Sequence, residues 1–481
     1  MQYRKKSNIG RKKQDMKHKI KLENIMCVFI ILCPILDIAS FVFRNTFSTK
    51  ISPSTIIRPI IPAIAILFLF IKKDRKFKKN MIIVGTIYAV YAAIHIYLFS
   101  KIKTGMSFGS ETHELQYIIN YTFMIINLIV FTTVFKNENV EKLNKSILIS
   151  TGIYIGSIYI AILTKTSSHT YIEGMGYKGW FESGNSISSI LLLTMFIYLP
   201  YVKDKRYRKL IISIIILVGA FLSMLIGTRA GLFGFILVIA LYMGIEVLFN
   251  IIRNKKIDKK FLIIGITGLA IVILVVIGFG STTIQRRKHL KDIESDIIDE
   301  SSQENAHITG STLRIKEQIE NNEIVEGYMS ESQKQSIMDL YNIANKLQVK
   351  NNDQRMQQLI YNLALVKNQK NILLILFGNG YVANFSELVL EMELISMLLN
   401  FGIVGFALYM GPFIAILFAG LYYGIKYRKV IDSQYAFLWF GLAMAFALSL
   451  LSGYTFFNLS SMIIIVSIST NLMKKMKEYK S

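Results

Sequence analysis

Three stretches of this chain gather residue types that bind phosphate, move protons or stack on rings. In LSMLIGTRAGLFGFILV, residues 222–238, Arg229 stands between Gly227 and Gly231. From Ile211 to Asn250 the only other charge is Glu246. A guanidinium is a planar forked donor matched to phosphate oxygens, and flanking glycines let a ligand approach the backbone. An arginine snorkelling to a lipid headgroup fits the same pattern. The second stretch is ILFGNGYVANFSELVLEMELISMLLNFGIVGFALYM, residues 375–410, where Glu387, Glu391 and Glu393 stand just ahead of a long apolar run. Carboxylates at that depth are costly unless paired or used, and one of tuned basicity is a general base. A helix dipole favours the same placement without any chemistry. The third, GYKGWFESGNSISSILLL, sets Trp180 and Phe181 ahead of Asn185. Such aromatics either stack on a ring or form a membrane-interface belt. Asp37, inside CPILDIASF, is one more buried charge and calls for a basic partner.

Other chemistries lack their signatures. The sequence has no P-loop, no GxGxxG and no HExxH, and its six histidines show no metal-ligand spacing. No cofactor and no metal are expected. Asp292, Glu294 and Asp296 form an acidic cluster that reads as a cation site or, more simply, as a solvated patch. Cys27 and Cys33 lie six positions apart, off a common helical face, and form no disulfide framework.

These residues must be positioned by helices that cross a membrane. The chain is 481 residues long and 53% hydrophobic, with a mean hydropathy of +0.44 and apolar runs long enough to span a bilayer. Alternating barrel strands are absent, so the fold expected is an all-α polytopic membrane protein. Twelve spans are expected: 23–43, 54–71, 81–100, 116–135, 146–164, 185–201, 210–227, 231–249, 261–279, 394–423, 434–453 and 455–472. The tenth is long, and tilts or begins outside the membrane. The first follows a basic segment without a small-residue cleavage site and is expected to be retained.

Lys and Arg set the orientation. Of the 55 such residues, 35 fall in the N-terminal segment, in every second loop and after the last span. Both termini are therefore expected in the cytoplasm, and the formal charge of +24 reads as anchoring to anionic lipid rather than nucleic-acid binding. This places Arg229 at a turn on the outer surface rather than in the bilayer core. The expected division is a basic cytoplasmic tail (1–22), nine helices (23–279), one large extracellular loop of mixed charge (280–393), three helices (394–473) and a cytoplasmic tail (474–481).

The large loop is expected to be partly helical. STLRIKEQIENN opens at a Ser/Thr cap, Ile337, Leu340, Ile343 and Leu347 form a stripe, and Asn352 or Asp353 caps a third segment with Leu359, Leu363 and Val366. Residues 285–310 show no stripe and are expected to be flexible.

Taken together, the three stretches resemble the O-antigen ligase and polymerase superfamily, and within it the capsule and teichuronic-type polysaccharide polymerases of Gram-positive bacteria. The matching features are the small-residue turn Gly227-Thr228-Arg229-Ala230-Gly231 and the lead-in from Gly179 to Asn185. After the large loop come Leu376 to Gly380, Glu391, Gly402 and Gly405. The resemblance covers about residues 175–410. Many members carry His where this chain has Glu391, and the Glu391-Met-Glu393 form fits the Gram-positive branch.

The resemblance implies a C-type glycosyltransferase-like fold and a metal-independent, inverting enzyme that joins undecaprenyl-diphosphate-linked repeat units on the outer membrane face. Arg229 and a second loop arginine, Arg355 in preference to Arg314, would hold the diphosphate. Glu391 would take the acceptor's proton, while Asn185, Trp180 and Glu393 would contact substrate. Lipid-linked donor and acceptor glycans, membrane lipids, a flippase and a chain-length regulator are the partners implied. A ligase of finished glycan is the nearest alternative. A flippase for the same lipid-linked unit is the alternative from another class.

Overall fold

The computed structural model describes residues 21–47, 53–102, 111–135, 140–171, 174–203, 207–253, 259–279, 284–286, 288, 311–324, 329–349, 353–381, 389–451 and 453–480. It is an all-helical membrane protein. Each expected span coincides with a helix: α1 Leu22–Phe47, α2 Pro53–Lys72, α3 Arg75–Ile102, α4 Glu111–Val134, α5 Val140–Leu163, α6 Gly184–Val202, α7 Arg208–Ile226, α8 Arg229–Ile252 and α9 Lys259–Phe279. After the large loop follow α14 Glu393–Lys426, α15 Ser433–Leu451 and α16 Leu459–Lys480. Among the described residues, nine helices are long and apolar enough to cross a membrane. A two-residue β1, Ser168–His169, pairs antiparallel with β2, Tyr177–Gly179, between α5 and α6.

The polar contacts sort the bundle into two ends. At one end Lys203 bonds Glu246 (2.8 Å) and Ser433 (2.6 Å), Lys475 bonds Asp432 (2.7 Å), and Asn144 pairs with Asn471. Glu246, the second charge of the 211–250 run, is thus tied down by basic residues. The opposite end carries the glycine-rich turns, Arg229 and, of the candidate acidic residues that are described, Asp37, Glu391 and Glu393. Between them lies one continuous core that includes Phe131, Phe196, Tyr409 and Phe413, each fully buried.

The long tenth span is broken by a kink. Gly402 has φ +70° inside α14, and a Cβ there would lie 2.4 Å from the Leu376 carbonyl. Only glycine accepts both conditions without strain. Into this kink docks the LFGNG turn: Gly378 also has positive φ, and the Asn379 and Gly380 amides donate to the Leu399 and Asn400 carbonyls at 3.1 and 3.0 Å. Gly405, one turn on, leaves room for the Tyr91 hydroxyl. The glycines of the motif therefore serve close backbone packing. A buried pair locks the turn from the other side. His95 Nε2 lies 2.7 Å from Glu114 Oε1, and Glu114 Oε2 accepts the Tyr381 amide at 2.9 Å.

The large loop contributes α10 Ser311–Glu320, α11 Glu331–Lys346, α12 Gln354–Gln369 and α13 Ile372–Phe377. Asp353 caps α12 by accepting the Met356 amide. The expected stripes are corrected by the packing. Ile337 and Leu340 are buried, but Ile343, Leu347 and Leu363 are exposed. Ala344, Ile360, Tyr361, Ala364 and Leu365 face the interior instead, with Phe99 of α3 joining this second core. Small residues and amides such as Gln333 and Gln358 carry the buried face, which hydrophobicity alone does not reveal. Apart from residues 285, 286 and 288, the 285–310 stretch lies outside the described residues, as do Asp292, Glu294, Asp296 and Glu387. Both cysteines are free, as expected.

Candidate active site

Two chambers flank the turn that carries Arg229. Gly227 takes a left-handed conformation and ends α7, and the Thr228 hydroxyl caps α8 by accepting the Gly231 amide at 3.1 Å. Arg229 is then the first residue of α8. It is exposed and has no hydrogen-bonded or ion-paired partner among the described residues. Thr228 is buried and its hydroxyl lies 2.5 Å from that of Ser188 on α6, while a Cβ on Gly184 would meet Thr228 and Thr170. The turn is pinned to the 168–179 hairpin. Thr170 donates to the Ile226 carbonyl (2.8 Å) and Tyr171 to the Gly227 carbonyl (3.1 Å).

On one side of this partition lies a polar cavity of about 570 Å³. Its wall includes Thr170, Tyr171, Asn185, Asn120, Tyr454 and Asn458, and its floor Asp37 and Arg58. The N-termini of α6 and α16 both open onto it. A helix N-terminus presents free N–H groups and a partial positive charge to an anion. The Arg286 guanidinium stacks 3.7 Å above the Tyr171 ring at its edge. On the other side lies an apolar cleft of about 250 Å³, lined by α5, α6, α7 and α8. It runs along α7 from Ile226 at the turn down to Ile214, about three helical turns.

The expected acid–base residues come together close by. Arg355 Nε donates to Glu391 Oε2 at 3.2 Å, and its Nη1 donates to the Leu451 carbonyl. The Glu391 amide donates to Gln358 of α12 at 3.1 Å. Gly453 presses against the Glu391 backbone, where a Cβ would lie 2.3 Å from its carbonyl, and the next residue, Tyr454, lines the polar cavity. The Tyr454 phenol is raised above its usual range by partial burial, with the Glu391 and Glu393 charges adding to it. Glu391 thus stands one residue behind the cavity wall.

Other expected contacts fall elsewhere. Glu393 is 6% exposed and accepts the amides of Thr455 and Phe456 (both 2.9 Å) and of Phe457. It anchors the 453–458 segment and is not part of the cavity wall. Trp180 bonds the Thr166 hydroxyl (2.9 Å) outside the cavity, whereas its neighbour Phe181 is buried and lines it. Asn185 does line it. Arg314 lies on α10, with its side chain outside the described residues. Sequence reasoning missed Arg58, the basic partner of Asp37 at 2.8 Å. Its signal was present as a lone arginine in the apolar run PSTIIRPIIP, the same anomaly that marks Arg229. Among the described residues, no group of three or more His, Cys, Asp or Glu is arranged to hold a metal ion.

Residues 19–479 match the family model of the O-antigen ligase like membrane protein. The chain belongs to this family. No curated protein matches it. In this O-antigen ligase like protein the family match takes in both chambers, the arginine turn and the Arg355–Glu391 pair. Membership makes it a membrane protein of the glycan polymerase or ligase kind.

Proposed function

We propose that this protein is a polysaccharide polymerase that joins undecaprenyl-diphosphate-linked repeat units at the outer face of the cell membrane, for the capsule or exopolysaccharide of a Gram-positive cell. The observation that carries this reading is the pairing of chambers. An apolar cleft and a polar cavity lie on either side of α6, and the turn that bears the exposed Arg229 borders the cleft at Ile226 and Gly231. That arrangement suits an amphiphile with an apolar tail, a phosphate linkage and a polar head. The polyprenyl tail lies in the cleft, the diphosphate at Arg229, and the glycan in the polar cavity.

In this reading a hydroxyl oxygen of the acceptor sugar attacks the anomeric carbon of the donor. Glu391 takes the hydroxyl proton as the new glycosidic bond forms. The bond from that carbon to the phosphate oxygen breaks, and its electron pair leaves on undecaprenyl diphosphate. Arg229 and Arg355 stabilise the charge that develops on the leaving group. Donor binding draws Arg355 from Glu391 to the phosphate and frees the carboxylate. Attack opposite the leaving group inverts the anomeric carbon, and no step calls for a metal or a nucleotide.

The flippase alternative calls for transport through a central mid-membrane cavity, whereas here Arg229, Arg355 and Glu391, the groups given the chemistry, stand at helix starts and loop segments at one end of the bundle. The polymerase reading is tested with Arg229→Ala. Polymer is lost while single lipid-linked repeats accumulate; polymer of normal length from that variant contradicts it. Finished chains left on the lipid carrier would instead identify a ligase.

A further inference from the structure

We propose that the floor of the polar cavity, the Asp37–Arg58 pair, is a subsite that reads two neighbouring hydroxyls of an uncharged sugar ring. This rests on the glycan-transfer reading above and specifies what one wall of its cavity recognises. Arg58 is 2% exposed, yet it lines the cavity. Its Nη2 donates to Asp37 Oδ1 and to the Cys33 carbonyl, both at 2.8 Å, while its buried Nε–H has no partner among the described residues. Asp37 Oδ2 accepts the Tyr154 hydroxyl (2.5 Å) and the Ser460 hydroxyl (2.7 Å).

Counting donors and acceptors defines the ligand. An ionised carboxylate offers about four acceptor positions. Arg58, Tyr154 and Ser460 use three of them, leaving one. Arg58 Nε is closed to a ligand, and what the cavity meets is the part of the guanidinium that lines it. One hydroxyl that donates to Asp37 and a neighbour that accepts from that part of the guanidinium fit the pair together. An anionic group does not fit it, because it meets the Asp37 carboxylate. The two cavity arginines already have their counter-charges, Arg58 in Asp37 and Arg44 in Glu182 at 2.7 Å. Gln116 and Asn120 add further hydrogen-bonding groups to the wall, and the Phe181 ring gives it an apolar surface. With three donors on it already, Asp37 binds and positions a hydroxyl rather than receiving the reaction's proton.

The test is saturation-transfer NMR on the full-length protein in nanodiscs, with the methyl glycosides of glucose, galactose and mannose, and with methyl glucuronide. At least one neutral glycoside receives transfer at its ring protons and binds more strongly than the glucuronide. The double variant Asp37→Asn/Arg58→Gln removes both charges together, strands neither, and weakens binding by at least about tenfold. Asn120→Ala, which leaves the pair intact, weakens it several-fold and serves if the double variant does not fold. The inference is overturned if no neutral glycoside binds, if the glucuronide binds better, or if these variants bind as the unmodified protein does. Farnesyl diphosphate binding separates the two readings. If it binds and the sugars do not, only the floor subsite falls; if it does not bind the unmodified protein, the lipid-diphosphate reading itself falls.

Discussion

Arg229 and Glu391 differ in how the structure holds them, and the difference sets what their loss does. Arg229 begins a helix and leaves its guanidinium free for a ligand. Glu391 sits in an ion pair with Arg355 whose side chains are 36% and 41% exposed. A pair that open to water contributes only ~0–1 kcal/mol to stability. A general base contributes roughly 10²–10⁴ in rate. Glu391→Gln is therefore expected to lower kcat by about two orders of magnitude or more, with the melting temperature almost unchanged. Turnover and thermal unfolding of the same preparation check both halves. A large loss of stability with little change in rate would make Glu391 a structural group. At this scale charge or polarity out of place marks Arg229, Glu391 and Asn185 as candidates in the sequence. It hid Arg58 and Phe181, because what marks them is a partner or a cavity contributed by distant helices.

Among elements, the kinked α14 is the part most dependent on one residue. Gly402→Ala places a Cβ against the Leu376 carbonyl at a left-handed backbone position, a strain of about 1–3 kcal/mol before any clash. Gly411 lies in the same helix with open space around it, so Gly411→Ala is expected to be neutral or slightly stabilising. Thermal unfolding should separate the two substitutions, and equal melting temperatures would show that the kink is not needed. At the opposite end Asp432 ties the start of α15 to α16, accepting Lys475 Nζ (2.7 Å) and the Tyr435 amide (2.8 Å). Burial pushes its carboxyl up, but these partners outweigh it and hold it below the ordinary value. Its contribution is thus complete above the unfolded value near about pH 4 and is lost as pH falls through the folded one. Asp432→Ala is expected to cost roughly 1 kcal/mol at neutral pH, with a gap to the unmodified protein that narrows in acid. A gap that stays constant into acid would assign the effect to packing. The helices themselves were legible from apolar run length. The break at Gly402 was not, since a glycine in an apolar helix reads alike whether or not another backbone presses on it. The faces of α11 and α12 were misread for a related reason: alanines and glutamines are buried there while Ile343, Leu347 and Leu363 are left outside.

For the whole molecule, the separation of ends is the fact on which the functional reading turns. Basic loops and ion pairs such as Lys203–Glu246 occupy one end, the polar cavity lies toward the other, and the apolar cleft runs from the Arg229 turn down between the helices. If the positive-inside rule holds, the polar cavity and the Arg229 turn face outward. In a chain whose Cys27 and Cys33 are replaced, a membrane-impermeant thiol reagent is expected to label Glu323→Cys in intact cells, and Lys429→Cys only after permeabilisation. The reverse pattern would put the site in the cytoplasm and remove the polymerase reading. The most direct test of the central claim is the reaction itself. Purified protein in nanodiscs, given only undecaprenyl-diphosphate-linked repeat units, is expected to release undecaprenyl diphosphate and form glycans of two or more repeats with an inverted linkage. Intact single repeats and no released diphosphate, from protein that still binds the lipid-linked unit, would contradict it.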